Sequence, residues 1–256
     1  MTRYITSLFL LFFFALSSVA VSAPNSIMTD KTKADKAYAA EQYERAAHIY
    51  QQLAQRGESL EVYYNLGNCY YRLDDIAHAI LWYERALLLS PGDSDVRFNL
   101  RLARTKTVDK ILPEEELFFV RWYHTLLNVT SASGWARTGI VFFVLTLLAF
   151  AAYFLASSLR FRKMGFYGGV VLLLVVLASN LMAWHQNVRQ QHRDRAILVY
   201  QSAAVKSTPS ENGTDILLLH SGTSMQIIDA SMDGWRQIRL SDGKEGWIPE
   251  SAIEVI

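Results

Sequence analysis

Two long apolar runs separated by four residues constrain this 256-residue chain more than any other feature. Thr138 to Leu159 is a stretch of 22 residues without a charge, and Met164 to Trp184 is another of 21. At 1.5 Å per residue, an α-helix of either length is about 30 Å long, the thickness of a bilayer's hydrocarbon core. A buried helix of a soluble domain is usually shorter and keeps a polar face, so residues 138–159 and 164–184 read as transmembrane helices. Arg160, Phe161, Arg162 and Lys163 leave room only for a tight loop, hence a helical hairpin. Three cations in that loop place it on the cytoplasmic side by the positive-inside rule, and both flanks on the exported side. Trp135 and Trp184 stand at the outer ends, where aromatic rings favour the interface. Arg189, Arg193 and Arg195 run against this orientation, with Asp194 offsetting one of them.

Residues 1–23 have the layout of a signal peptide: Arg3, an apolar run from Ile5 to Leu16, then small residues. Val21-Ser22-Ala23 and Ser18-Val19-Ala20 both fit a cleavage site, and an uncleaved anchor is the alternative; either form exports the segment C-terminal to it. A net charge of +1 offers no basic face for nucleic acid, and a single cysteine excludes disulfide frameworks and multi-cysteine metal sites. No phosphate loop, nucleophile elbow or metalloprotease motif occurs, and the six histidines are scattered. Cys69 sits mid-helix and reads as a packed small side chain. The spans contain no acidic or basic residue, which argues against an ion pathway. The chain is therefore expected to have no catalytic residue, no cofactor and no metal.

Residues 27–110 carry a repeat of about 34 residues. In its second copy Tyr63, Leu66, Gly67, Tyr70, Ala79, Tyr83, Ala86 and Pro91 fall at the offsets of a tetratricopeptide repeat. Ala34, Ala37, Tyr43, Ala46 and Tyr50 match more loosely in the first. Gly67, Ala79 and Ala86 let two helices approach closely, Tyr70 and Tyr83 fill the remaining space, and Pro91 stops the second helix. Asp93 or Ser94 can cap the next one, which carries Val96, Phe98, Leu100 and Leu102 and closes a stack short of three full repeats. Resemblance to the repeat family implies that the first helix of each pair lines a concave partner-binding surface. That surface would hold Tyr64, Asn65, Asn68, Tyr71 and Arg72, with Lys31 and Asp35 from the first repeat. The carboxylate clamp of such repeats wants Asn at Asp35 and basic residues at Asp95 and Asn99, so recognition of a free C-terminus is not expected.

Residues 112–135 begin Leu-Pro-Glu-Glu-Glu and continue through Phe118, Phe119, Trp122 and Tyr123. They read as an amphipathic helix, either lying on the outer leaflet or packed under the repeats. After residue 195 the period changes to short β-rich runs (197–200, 225–228, 236–240, 246–248), separated by glycine turns. Residues 196–256 are thus expected to form a small all-β barrel. Val205-Lys206-Ser207-Thr208-Pro209, Gly222-Thr223 and the run from Trp235 through Asp242-Gly243 to Gly246-Trp247-Ile248 resemble a bacterial SH3-like domain. Asp242-Gly243 fits a type I′ turn, and Ile238, Leu240 and Ile248 would face the barrel core. Tyr200, Trp235 and Trp247 are the aromatic candidates for a ligand surface.

The fold expected is a multi-domain membrane protein: all-α tetratricopeptide hairpins, two transmembrane helices and a C-terminal SH3-like barrel. This order, with Asn99-Leu100-Arg101-Leu102-Ala103-Arg104, Val108 to Pro113 and the tail Leu240 to Ile256, resembles the BatE family of the Bacteroides aerotolerance operon. The apolar runs and the charged loop between them lead to the expectation of a two-pass inner-membrane protein with periplasmic N- and C-terminal domains, in contact with the lipid bilayer. The resemblance implies a complex with von Willebrand A-type membrane proteins and a MoxR-type ATPase, linked to aerotolerance or envelope stress. The expected role is that of a non-enzymatic scaffold. Its alternative is a cell-wall factor whose SH3-like domain binds peptidoglycan while the repeats recruit a hydrolase.

Overall fold

The computed structural model describes residues 25–111, 115 and 117–256. The expected signal peptide and most of the acidic start of the 112–135 segment lie outside them. The repeats are five helices: α1 (Asn25–Ala39), α2 (Tyr43–Arg56), α3 (Leu60–Arg72), α4 (Ile76–Leu89) and α5 (Ser94–Thr105). The first and third end alike. Glu41 and Asp74 have φ of 60° and 61°, and the following N–H reaches back five residues, Gln42 to Ala37 and Asp75 to Tyr70, each at 2.9 Å. This left-handed cap reverses the chain at the same point of both pairs. Asp75 then caps α4, and Asp93 caps α5 by accepting from the Asp95 and Val96 amides. Gly67 allows the close approach its position predicts: a Cβ there would lie 2.6 Å from the buried Tyr83 ring. Along α5, Val96 and Leu100 are buried, but Phe98 and Leu102 are 58% and 41% exposed, because no helix stacks beyond α5 among the described residues.

The 112–135 segment is not one helix. α6 spans Phe118–Leu127 and stops at Asn128, and Ser131 caps α7 (Ala132–Leu155) by accepting from the Gly134 amide. Trp135 therefore sits in the first turn of α7. α8 runs from Leu159 to Gln191. Both long helices are apolar and long enough to cross a membrane. The connecting loop is residues 156–158, and Arg160–Lys163 form the first turn of α8 instead of the loop expected there. Charge marks the polar end of a span but does not prevent helix, so the turn falls on the preceding small residues. Gly165 makes the crossing close: a Cβ there would stand 2.6 Å from the Ala149 carbonyl on α7. α8 also continues seven residues past the expected end at Trp184, about 10 Å of extra rod.

The C-terminal strands are β1 (Arg195–Leu198), β2 (Ser202–Lys206), β3 (Asp215–His220), β4 (Ser224–Asp229), β5 (Trp235–Arg239), β6 (Glu245–Pro249) and β7 (Ile253–Val255). They form one antiparallel sheet in the order β3-β2-β6-β5-β4-β1-β7. Four strands fall on the expected runs. The others show no readable alternation: β3 carries four successive apolar residues, and β7 is only three residues long. Ile238, Leu240 and Ile248 are buried as expected. Closure into a barrel would require β3 and β7 to pair, and the strand order is open instead. Side chains of α4 lie against β7, where Arg85 donates to the Val255 carbonyl and His78 approaches Glu254. The Asp242-Gly243 turn is not type I′. Only Gly243 has positive φ (81°), and its N–H donates to the Leu240 carbonyl at 3.0 Å, so the glycine follows the turn as a left-handed bulge.

Repeats and sheet share a core. Ile197 and Ile256 pack with the repeat residues, while Ala196 and Leu198 point into the sheet's own core. β1 is thus buried on both faces. Buried Glu84 of α4 is held by Arg104 of α5 and, at 2.9 Å, by Arg195 of β1. Asp109, just after the repeats, accepts from the backbone and ring of His220 and the hydroxyl of Thr223. Burial pushes that carboxyl up, but the three donors outweigh it and hold it below the usual range.

His78 lies between Asp75 (2.8 Å) and Glu254 (3.5 Å). Hydrogen bonds to Asp75 and then Glu254 outweigh burial and raise its pKa to about 9 from 6.5. A raised pKa stabilises the protonated folded form, so this contribution is complete below pH 6.5 and lost as pH rises through 9. Glu254, held below the ordinary glutamate value of 4.5 mainly by His78, loses its share as pH falls below that value. Thermal unfolding of the detergent-solubilised chain is therefore expected to show a falling midpoint between pH 6.5 and 9. His78→Gln should flatten that limb; an identical slope in the variant would show that the fall arises elsewhere.

Candidate functional site

The repeat face opposite the sheet is built from first helices of the pairs, and its polar side chains form two hydrogen-bonded groups. In the first, Lys31 pairs with Asp35 (2.9 Å) and Glu61 (2.8 Å). Tyr50 donates its hydroxyl to Asp35, and Asn65 donates to the Tyr50 oxygen at 3.2 Å. In the second, the Tyr83 hydroxyl donates to Asn68 at 2.7 Å. Asn99 of α5 donates to both Asn68 (2.9 Å) and Tyr64 (3.0 Å). Tyr50–Asp35 and Tyr83–Asn68 are the same contact one repeat apart, so a single pattern ties second helix to first helix in both pairs. Burial pushes the hydroxyls of Tyr50 and Tyr83 upward, and the Asp35 charge adds to the effect at Tyr50. Both remain neutral donors.

Five of the seven expected face residues, Lys31, Asp35, Tyr64, Asn65 and Asn68, belong to these groups. Tyr71 and Arg72 do not. They lie at the C-terminal end of α3, where the Lys106 ammonium stands 4.6 Å from the Tyr71 ring and Arg72 covers the Tyr43 ring at 4.8 Å. Sequence reading took Asn99 only as a departure from the carboxylate clamp, and it missed Glu61 and the two tyrosine hydroxyls. Tyr50 and Tyr83 were legible as volume fillers, but only the helix pairing shows where their hydroxyls end. A cue did exist in the recurrence of Asn65 at Asn99, one repeat later. Cys69 is fully buried behind this face, and burial pushes its thiol up to about 12, keeping it protonated and unreactive.

The internal contacts leave from the other side. His78, Glu84, Arg85 and Leu88, all on α4, meet β7, β1 and α8. The polar floor of α1, α3 and α5 takes no part in them. At its edge, Phe98 and Leu102 stand one helical turn apart and exposed on α5.

On the sheet, Gln237 pairs with Trp247 and Trp235 with Pro249. Since Ile238 and Ile248 face inward, the two tryptophans share the outer face as diagonal neighbours, both half-buried. Tyr200 lies apart, exposed in the β1–β2 turn beside Ala252.

A family model, the tetratricopeptide repeat, matches residues 60–93, which are α3, α4 and the turn after them. No curated protein matches the chain. The repeat is a protein–protein interaction module, and α3 and α4 carry it here.

Asn68→Leu removes the acceptor of a buried hydroxyl, a loss of about 1–3 kcal/mol. In a domain this small, the unfolding midpoint is expected to drop by several degrees. Asn68→Asp, which keeps the acceptor, should recover most of it. Equal midpoints in the leucine variant and the parent would remove the network's structural role.

Proposed function

We propose that this protein is a non-enzymatic adaptor anchored in a bacterial inner membrane, presenting its repeats and an SH3-like sheet domain to the periplasm. The observation that carries the reading is the division of labour on the repeats. The α4 side is consumed by internal docking, while the ordered polar floor and the bare Phe98–Leu102 edge remain for a partner. Repeats that end on exposed apolar side chains lack a polar cap and are served by a neighbour. The α7–α8 hairpin supports anchorage, because its leucines, valines and phenylalanines are exposed over most of its length. The exposed Phe118, Phe119 and Trp122 of α6 favour the interfacial reading of that helix over packing beneath the repeats.

The resemblance to the BatE family supplies the partner class, von Willebrand A-type membrane proteins, and the link to aerotolerance or envelope stress. A photo-crosslinking residue in place of Phe98, exposed on the proposed edge, should capture such a protein in intact cells. The same residue in place of His48, exposed on α2, should not. Stronger capture at His48 would overturn the assignment of the face. For orientation, alkaline phosphatase fused after Ile256 is expected to be active, and activity of a cytosolic reporter at that site would reverse the topology.

The shared outer face of Trp235 and Trp247 favours a second reading, peptidoglycan binding by the sheet domain. Cosedimentation of the solubilised chain with purified cell wall, abolished by Trp235→Ala, would select it over the adaptor reading.

A further inference from the structure

A cavity of about 360 Å³ lies between α4, α5, α6 and the part of α8 beyond Trp184. Its charged lining is uneven. Among the described residues, Arg97, Arg121, Arg189 and Arg195 face it against one acidic residue, Glu84. Glu84 is already engaged by Arg104 and Arg195. Arg97 and Arg189 meet the neutral oxygens of Asn128, at 2.9 and 3.4 Å, and no carboxylate among the described residues. Glu84 and Asp194 act on Arg189 only at longer range, without an ion pair, so both guanidiniums keep N–H groups to offer, and guanidinium forks suit phosphate oxygens.

A second observation points to a ligand with a donor as well as an anion. Gln186, which also lines the cavity, is 3% exposed. Its Nε2 donates to the carbonyls of Leu127 and Thr130, which fixes the orientation of the amide. Its Oε1 is buried with no donor among the described residues. An acceptor left so costs free energy that a ligand hydroxyl would recover.

The height of the cavity identifies the source. Arg189 lies five residues beyond Trp184, about 7.5 Å along the helix, and α6 with its exposed aromatics forms one wall. In a chain anchored by α7 and α8, that is the level of the lipid headgroups. We propose that this cavity binds the headgroup of an anionic, hydroxyl-bearing glycerophospholipid, with its phosphate on Arg97, Arg121 and Arg189 and a hydroxyl on Gln186. The site would lock α6 and the repeats to the membrane surface. It rests on the proposed membrane anchorage.

The test is calorimetric titration of the full detergent-solubilised chain with dihexanoyl phosphatidylglycerol, dihexanoyl phosphatidylcholine and inorganic phosphate. Phosphatidylglycerol is expected to bind at least tenfold more tightly than phosphatidylcholine. Arg97→Gln/Arg189→Gln should remove at least tenfold of that affinity. Arg121→Gln changes an exposed side chain, so it keeps the test valid if the double variant fails to fold, and it should weaken binding severalfold. Equal affinity for the two lipids, or binding unchanged in the folded variants, would overturn the proposal. Binding of inorganic phosphate with the same variant dependence but no response to lipid would overturn the lipid source and leave a soluble anion. Carbonate extraction of the membranes separately reports whether the chain is embedded. Release there would sink the anchored reading and this site together, whereas retention with a failed titration sinks the site alone.

Discussion

Helix α4 is the element on which the arrangement depends. Its inner side completes the repeat core with Ala79, Tyr83 and Ala86, and its outer side receives β1, β7 and the end of α8. A stack of two pairs and one closing helix is short for a solenoid, in which each unit buries its apolar face only against neighbours. Here the sheet domain of the same chain adds burial on the α4 side, while the α5 end of the stack stays bare. Ile197 and Ile256 add apolar burial to the repeats. Glu84, placed between Arg104 and Arg195, makes the junction specific. A docking angle that removed Arg195 would leave this buried carboxylate with Arg104 alone, which disfavours it.

That docking also accounts for the shape of the sheet. β7 is a three-residue edge strand, and an uncovered edge invites pairing with other chains. Arg85 and the His78–Glu254 contact place α4 against it. The opposite edge, β3, is not covered in this way and exposes Ile216 and Leu218. The two ends of the sheet thus have different environments, which a closed barrel would not allow.

The extension of α8 joins the two halves of the molecule. A continuous helix passing from the apolar hairpin to Gln190, whose amide meets the Leu88 carbonyl at 2.6 Å, transmits the hairpin's orientation to the repeats without a flexible linker. Gln186 holds the α6–α7 connection from the same rod. The polar floor of α1, α3 and α5 is thereby presented at a set angle to the hairpin, and rigid presentation lowers the entropic cost of binding a partner.

What was legible from the amino-acid order is whatever short-range periodicity encodes. The apolar runs, the offsets of Gly67, Ala79, Tyr83 and Pro91, and the inward set Ile238, Leu240 and Ile248 follow from helix and strand periods alone. Resemblance to the repeat family put seven residues on one face, and five of them sit in the hydrogen-bonded groups, where residues one repeat apart occupy equivalent positions. Contacts between distant segments were not legible. Nothing local in Arg-Ala-Ile-Leu at 195–198 says that Ile197 faces the repeats while its neighbours face the sheet. Nor does anything local say that Glu84 will meet Arg195, or that Tyr71 and Arg72 will fall outside the groups that take in Asn65 and Asn68. Those facts depend on which surfaces exclude water together, and only the assembled tertiary structure decides that.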